Sequence, residues 1–301
     1  RYYQKSSACA GRSLHRLGNE VTTGVESARE NVAKFINSSP SEVIFTKNTT
    51  EGINLLAYGH PFQNGDVICT SDMEHNSNLL PWQFLSQKGK VDFIQFELTE
   101  NGEFDLDAYK RTLSESPVKL VSVFHTSNIL GTELPIKEMV ELAHENGAYF
   151  LLDAAQAVTH AELNVKELDV DFMVFSGHKA FGPTGTGVLF GKYELLKKLR
   201  PFVVGGETVD DVFYENCSLM DVPHRFEAGL QNYSGILGLS KAIDYIRKTG
   251  PEKIHKHVVK LNEQLTEYIK TDENIELLGP QEANRRSSIV NFIHKKFKSE
   301  E

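Results

Sequence analysis

An α/β fold with a mostly parallel central sheet flanked by helices is predicted by three features of this sequence. Short apolar runs bounded by turn residues alternate with segments of helical spacing along most of the 301 residues, the order a βαβ chain produces. Several runs carry apolar or β-branched residues on both alternating positions, as strands buried on both faces do. The positions just after the runs are unusually polar, and in such a sheet ligands gather at the carboxyl ends of the strands.

The expected strands, in chain order, are residues 42–46, 66–70, 91–96, 120–125, 148–153, 172–176 and 187–191. Between them, residues 50–58, 77–87 and 136–145 have helical composition and spacing. Near residue 230 the style changes, and long amphipathic helices are expected over 235–246 and 252–270. The expected division is a large domain over residues 1–230 and the start of a smaller α+β C-terminal domain over 231–301. The smaller one reads as truncated, because a strand beginning over 287–293 is followed by a charged tail that closes no unit. The chain opens on Arg1 rather than Met, which leaves room for a removed signal or transit peptide.

Composition excludes several classes of function. Hydrophobic residues at 40% and charged residues at 24% are those of an ordinary globular protein. A net charge of -9 argues against a nucleic-acid binder, and the one Lys-rich run is Lys295-Lys296-Phe297-Lys298 at the chain end. No run approaches the roughly 18 to 20 apolar residues that span a bilayer. Cys9, Cys69 and Cys217 form no CxxC pair and outline neither a metal site nor a disulfide framework. A reducing, cytoplasmic compartment is the expectation.

Three segments carry chemistry. After the first strand come Asn48, Thr49, Thr50 and Glu51, opening a helix. Free backbone N–H groups and hydroxyls there favour a phosphate, and the same residues would also serve as a helix cap. The apolar run Tyr149-Phe150-Leu151-Leu152 leads into Asp153. A carboxylate at that place is costly unless it meets a cation or a strong donor, and a second cap is the structural alternative. Finally, Phe172-Met173-Val174-Phe175 leads into Ser176-Gly177-His178-Lys179. Serine and histidine can bind a phosphate there, while lysine can form an imine with an aldehyde. The glycine-rich stretch over 181–187 is neither a P-loop nor a dinucleotide turn and reads as a tight connection. An aldehyde cofactor with a pyridine ring needs a lysine to hold it, an acid to keep the ring nitrogen protonated, and a phosphate site. Asp153 and Lys179 lie 26 positions apart, room for one crossover and one strand, so neighbouring strand ends are expected to carry them.

Taken together, the segments KNTTEGINLLA, GDVICTSDMEHNSNLLPWQ, HTSNILGTELPI, LLDAAQAV, DVDFMVFSGHKAFGPTGTGVLFG and HRFEAG resemble the cysteine desulfurase and selenocysteine lyase family. That family is part of the class V aminotransferase-like, fold-type I enzymes dependent on pyridoxal 5'-phosphate. The likeness covers most of residues 20–245, in the family's order and near its spacing. It implies that Lys179 holds the cofactor and shuttles a proton, that Asp153 pairs with the pyridine nitrogen, and that Gln156 bonds the phenolic oxygen. His75 would stack on the ring and act in acid-base chemistry. Thr50, Ser176 and His178 would bind the phosphate, with Thr49 beside them, and Asn128 would lie by the cofactor oxygen and the substrate. Arg225 resembles an arginine at the active-site mouth, with a structural salt bridge as the other reading. His15, in GRSLHRLG, loosely resembles the family's N-terminal active-site segment.

The implied activity is removal of sulfur from L-cysteine, giving L-alanine and an enzyme persulfide for iron-sulfur cluster or thio-cofactor synthesis. A homodimer and a sulfur-acceptor protein are the implied partners. Two departures stand out. Leu230 follows the glycine of FEAG where the family commonly has a threonine reaching the other subunit's phosphate. The sequence also ends before a segment matching the family's nucleophilic cysteine and its neighbouring carboxylate-binding arginine. The three cysteines do not match that motif: Cys69 reads as a strand residue, Cys9 and Cys217 as loop or helix residues. Another class V activity, whether aminotransferase, epimerase or selenocysteine lyase, and a catalytically silent scaffold are the alternatives.

Overall fold

The computed structural model describes residues 2–11 and 15–298. The strands are β1 (Val43–Thr46), β2 (Val67–Ser71), β3 (Asp92–Phe96), β4 (Val118–Phe124), β5 (Tyr149–Asp153), β6 (Phe172–Ser176), β7 (Gly187–Gly191), β8 (Val209–Val212), β9 (Cys217–Leu219), β10 (Ile275–Leu278) and β11 (Asn291–His294). By its internal contacts the chain divides into two compact units, residues 1–63 with 163–248 and residues 64–162 with 249–301.

In the first unit the strand order is β1-β7-β6, and β7 runs antiparallel to both neighbours. All three strands are buried along their whole length, which is why their sequences are continuous apolar runs rather than alternating ones. Helix Thr49–Gly59 packs on all three, and Gly52 permits the approach, since a Cβ there would lie 2.9 Å from Val174 Cγ1. Helix Arg16–Ile36 buries Val21, Val25, Ala28, Val32, Ala33 and Ile36 at helical spacing and lies against β1. It stops at Asn37, whose left-handed backbone (φ 57°) suits an asparagine. Arg29 shares its buried face and forms a forked ion pair with Glu227, Nη1 to Oε1 at 2.7 Å and Nη2 to Oε2 at 2.9 Å. The same Oε1 accepts the N–H of Phe45 at 2.7 Å, and Arg29 Nη1 donates to the carbonyl of Val43 at 2.9 Å. The pair therefore satisfies backbone groups of β1 that no strand covers. The hairpin β8–β9 is largely exposed, and Cys217, expected in a loop or helix, lies in β9.

In the second unit the order is β5-β4-β2-β3, every pairing parallel. Helices Asn76–Gln87, Leu106–Glu115 and Ile136–Glu145 cover these strands. β3 lies at the edge and is half exposed, with polar Asp92 and Gln95. Helix Pro251–Lys270 packs on the β10–β11 hairpin. Its buried Asn262 donates to the carbonyls of Ala283 and Ser287, both at 3.1 Å. The strand expected over 287–293 begins instead at Asn291, because the residues before it serve these contacts and bridge to the loop near Gly131. Among the described residues no helix is long and apolar enough to cross a membrane.

Candidate functional site

In the first unit, Thr46 at the end of β1 and Ser176 at the end of β6 both stand opposite Gly187. Two strands antiparallel to the same neighbour are parallel to each other, so their carboxyl ends open on one edge of this unit. Gly187 is required there: a Cβ would lie 2.7 Å from the Asn48 Cα and 2.9 Å from the Phe175 carbonyl oxygen. Asn48 caps helix Thr49–Gly59 through Oδ1, which accepts from Glu51 N at 2.9 Å. With that end so capped, the Thr49 N–H is free to donate to Ser176 Oγ at 2.9 Å, and the two hydroxyls lie 2.8 Å apart. One hydroxyl proton serves the contact between them, which leaves the other to donate to an incoming acceptor. Both residues are buried, whereas Thr50 and His178 are exposed. Lys179 is half-buried in the 3-10 turn Gly177–Lys179 that follows Ser176 directly. The glycine-rich run returns onto this turn, Gly177 N donating to the Thr186 carbonyl at 2.8 Å, so the run acts as the tight connection its sequence indicates.

In the second unit, Phe124 at the end of β4 is in register with Asp153 at the end of β5. Asp153 is buried, and its Oδ1 accepts from Ala155 N at 2.9 Å. Gln156 follows in the same turn, half-buried, and Asn128 is half-buried in the loop after β4. That loop is closed by Ser127 N to the Thr132 carbonyl and Leu134 N to the His125 carbonyl, each 2.9 Å. His75 is exposed and caps helix Asn76–Gln87, its Nδ1 accepting from Ser77 N at 3.0 Å.

Beside His75, a residue not singled out in the sequence carries a marked electrostatic anomaly. Glu74 is buried, with Oε1 bonded to Ser71 Oγ at 2.5 Å and Phe124 N at 3.2 Å, and Oε2 to Asn78 Nδ2 at 2.8 Å. Asn78 Oδ1 in turn accepts from Trp82 Nε1 at 3.2 Å and from Ser122 Oγ. Burial pushes the Glu74 carboxyl from its ordinary 4.5 up to about 8, with the charge of Asp153 adding to the rise. At neutral pH the proton stays on Glu74. Because the native form holds that proton more tightly than the unfolded chain, its contribution to stability is complete below about pH 4.5 and is lost as pH rises through about 8. Glu74→Gln should flatten this slope. Urea unfolding at pH 6 and pH 8.5 should show the native protein losing over about 1.4 kcal/mol more than the variant, the value of one tenfold change in proton affinity. The position is signalled in the sequence only by Glu74 and Asn78 standing one helical turn apart.

A family model described as "Aminotransferase class-V" matches residues 1–301. The chain belongs to the class-V aminotransferase family. Among curated relatives in this family, a probable cysteine desulfurase of Synechocystis sp. is 40% identical over 296 residues, 97% of this chain and 70% of the relative. One of Pyrococcus abyssi is 42% identical over 297 residues, 97% of this chain and 73% of the relative. Among solved structures, the apo cysteine desulfurase of Thermococcus onnurineus superposes with a TM-score of 0.91 at 37% identity, covering 98% of this chain and 74% of that one. The cysteine desulfurase CsdA of Escherichia coli gives a TM-score of 0.88 at 28% identity, covering 99% and 75%. The expected α/β class, fold type I with a mostly parallel sheet, is therefore the fold found.

Outside the strand ends, Arg225 donates from Nε to the Met220 carbonyl at 2.9 Å and lies 3.6 Å from Asp221. His15 is exposed and caps helix Arg16–Ile36, Nδ1 accepting from Gly18 N at 3.2 Å. Residues 12–14 of its segment lie outside the described residues. Cys9 and Cys217 are exposed free thiols. Cys69 is buried in β2, where burial pushes its thiol up to about 12.

Proposed function

We propose that this class-V aminotransferase family member is a cysteine desulfurase dependent on pyridoxal 5'-phosphate. The single observation that carries the reading is the turn Ser176-Gly177-His178-Lys179. It sets a half-buried lysine three residues after a buried serine whose hydroxyl is already engaged with the N-terminus of helix Thr49–Gly59. The donor chemistry fits the cofactor. Lys179 supplies the amine for its aldehyde, and the hydroxyl proton left by the Thr49–Ser176 pair, with Thr50 and His178, suits its phosphate. The buried carboxylate of Asp153 suits a protonated ring nitrogen, Gln156 the phenolic oxygen and His75 the ring face, with Asn128 toward the cofactor oxygen and the substrate.

When bound, the cofactor supplies an electron sink for the carbon next to the substrate's amino group. Lys179 takes the proton from that carbon and returns it to the product. Asp153 holds the ring-nitrogen proton, and Glu74, which keeps its own proton at neutral pH, adds no second negative charge to the cluster. A cysteine thiolate takes the sulfur of the substrate, so that cysteine and one thiol become alanine and one persulfide. Cys69 is unsuited to the task, since a thiol pushed up to about 12 holds almost no thiolate at neutral pH. Cys9 and Cys217 are also read as non-catalytic.

Homodimer formation is supported by Phe202, Val203, Val204, Phe213 and Leu230, large apolar side chains exposed on the first unit. A reducing, cytoplasmic setting suits the three free thiols, and iron-sulfur cluster or thio-cofactor synthesis is the proposed destination of the sulfur, through an acceptor protein. The test is to incubate the full-length gene product, loaded with cofactor, with L-cysteine and a thiol reductant. Equal amounts of alanine and sulfide are expected, and neither rising above the enzyme-free background would overturn the reading.

A further inference from the structure

Within the second unit, three side chains from distant parts of the sequence converge on one point: Glu133 in the loop after β4, His160 after β5, and His255 on helix Pro251–Lys270. One ligand atom from each lies within 4.8 Å of the other two. His160 Nε2 is 3.1 Å from Glu133 Oε1, and the imidazoles of His160 and His255 are stacked with centroids 6.0 Å apart and planes at 21°.

A hydrogen bond from His160 to Glu133 explains two of the three. It does not involve the second imidazole, which lies against the first with a ring nitrogen within 4.8 Å of the ligand atoms of both other residues. A divalent cation gives all three side chains a common role, since each ring can offer a nitrogen lone pair and the carboxylate an oxygen. Bonds of about 2.0–2.1 Å in a tetrahedral site put neighbouring ligand atoms about 3.3 Å apart. The His160–Glu133 pair stands at that spacing already. Bringing in the His255 ring from a solvent-facing helix asks for a movement of about 1.5 Å at most, by difference from the same bond lengths. The His160 side chain is only 3% exposed and fixes one ligand, while Glu133 at 34% leaves an approach from solvent.

We propose that Glu133, His160 and His255 form a binding site for a divalent transition-metal ion of the zinc type, with water as the remaining ligand. The donors are two nitrogens and one oxygen, a set that suits zinc and disfavours magnesium or calcium. Such an ion clamps three segments of this unit: the loop that carries Asn128, the turn region that carries Gln156, and helix Pro251–Lys270. The site uses none of the residues assigned to the cofactor or the substrate, so its failure and the failure of the desulfurase reading are separable.

The experiment uses the untagged full-length protein, stripped with a chelator and then titrated with cobalt(II) and, separately, with zinc(II). One equivalent of cobalt should give the weak visible bands of a four-coordinate nitrogen and oxygen site. His255→Ala, at a half-buried helix position, and Glu133→Gln should each abolish those bands and weaken zinc binding by more than about tenfold. Zinc should raise the melting temperature of the native protein and not that of His255→Ala. No visible cobalt bands, bands of thiolate character alone, or zinc affinity unchanged in both variants would each overturn the proposal.

Discussion

Replacing Lys179 by alanine should lower alanine formation from cysteine by at least about a hundredfold, the lower end of what a positioned proton-transfer group contributes. Stability should move by no more than about 0.5 kcal/mol, as for a surface substitution. The two expectations are linked by one observation. Lys179 is half-buried in a turn, and among the described residues no hydrogen bond or ion pair of its amine holds the fold together. Steady-state rates beside thermal melting of native protein and variant separate the outcomes. A variant that melts normally but turns over at the native rate contradicts the assignment of the amine.

Arg29→Ala should have the largest effect on stability, a loss of about 3–5 kcal/mol, the range measured when one member of a buried ion pair is removed. The Arg29 and Glu227 side chains are 2% and 7% exposed. Burial opposes the charged guanidinium, yet Glu227 and Glu26 outweigh it and hold it above its ordinary range. Alanine leaves the Glu227 carboxylate buried with, among the described residues, the Phe45 N–H as its remaining donor, and the Val43 carbonyl loses the Arg29 donor. The cost should fall partly on the partner: adding Glu227→Gln to Arg29→Ala should cost less than the sum of the two single changes. Urea unfolding of the two single variants and the double variant measures this, and additive losses would show that the pair is not coupled.

Strand positions are legible in this sequence where a run is buried on both faces and ends in a polar residue. β5 and β6 stop at Asp153 and Ser176, where burial of apolar side chains gives way to side chains with hydrogen-bonding work to do. Helix Ile136–Glu145 begins and ends where its spacing predicts, because one apolar stripe of Ile136, Met139, Val140 and Ala143 faces the sheet. Helix Arg16–Ile36 is harder to read, since its buried stripe includes Arg29, whose partner stands 198 positions away. The β8–β9 hairpin has little signal, because exposed strands such as Val209–Val212 bury no face that would impose alternation.

Among the candidate site residues, the local settings of Ser176 and Asp153 follow from the strand ends. The helix-capping contacts of His75 and His15 depend on backbone geometry that a motif does not display. Glu74 could not be singled out by residue type, since a glutamate two positions before a helix is ordinary. Its unusual proton affinity comes from complete burial among Ser71, Asn78 and Phe124, segments separated in sequence by up to 50 positions. Glu133, His160 and His255 have no spacing signature at all, because three loop and helix positions meet only after the strands between them are paired.

The most direct measurement is chemical. Purified protein loaded with pyridoxal 5'-phosphate is reduced with borohydride, digested, and mapped by mass spectrometry. The added mass of the reduced cofactor should sit on Lys179, and Lys179→Ala should carry none. Cofactor mass on a different lysine, or an equal yield from the variant, would contradict the account at its centre.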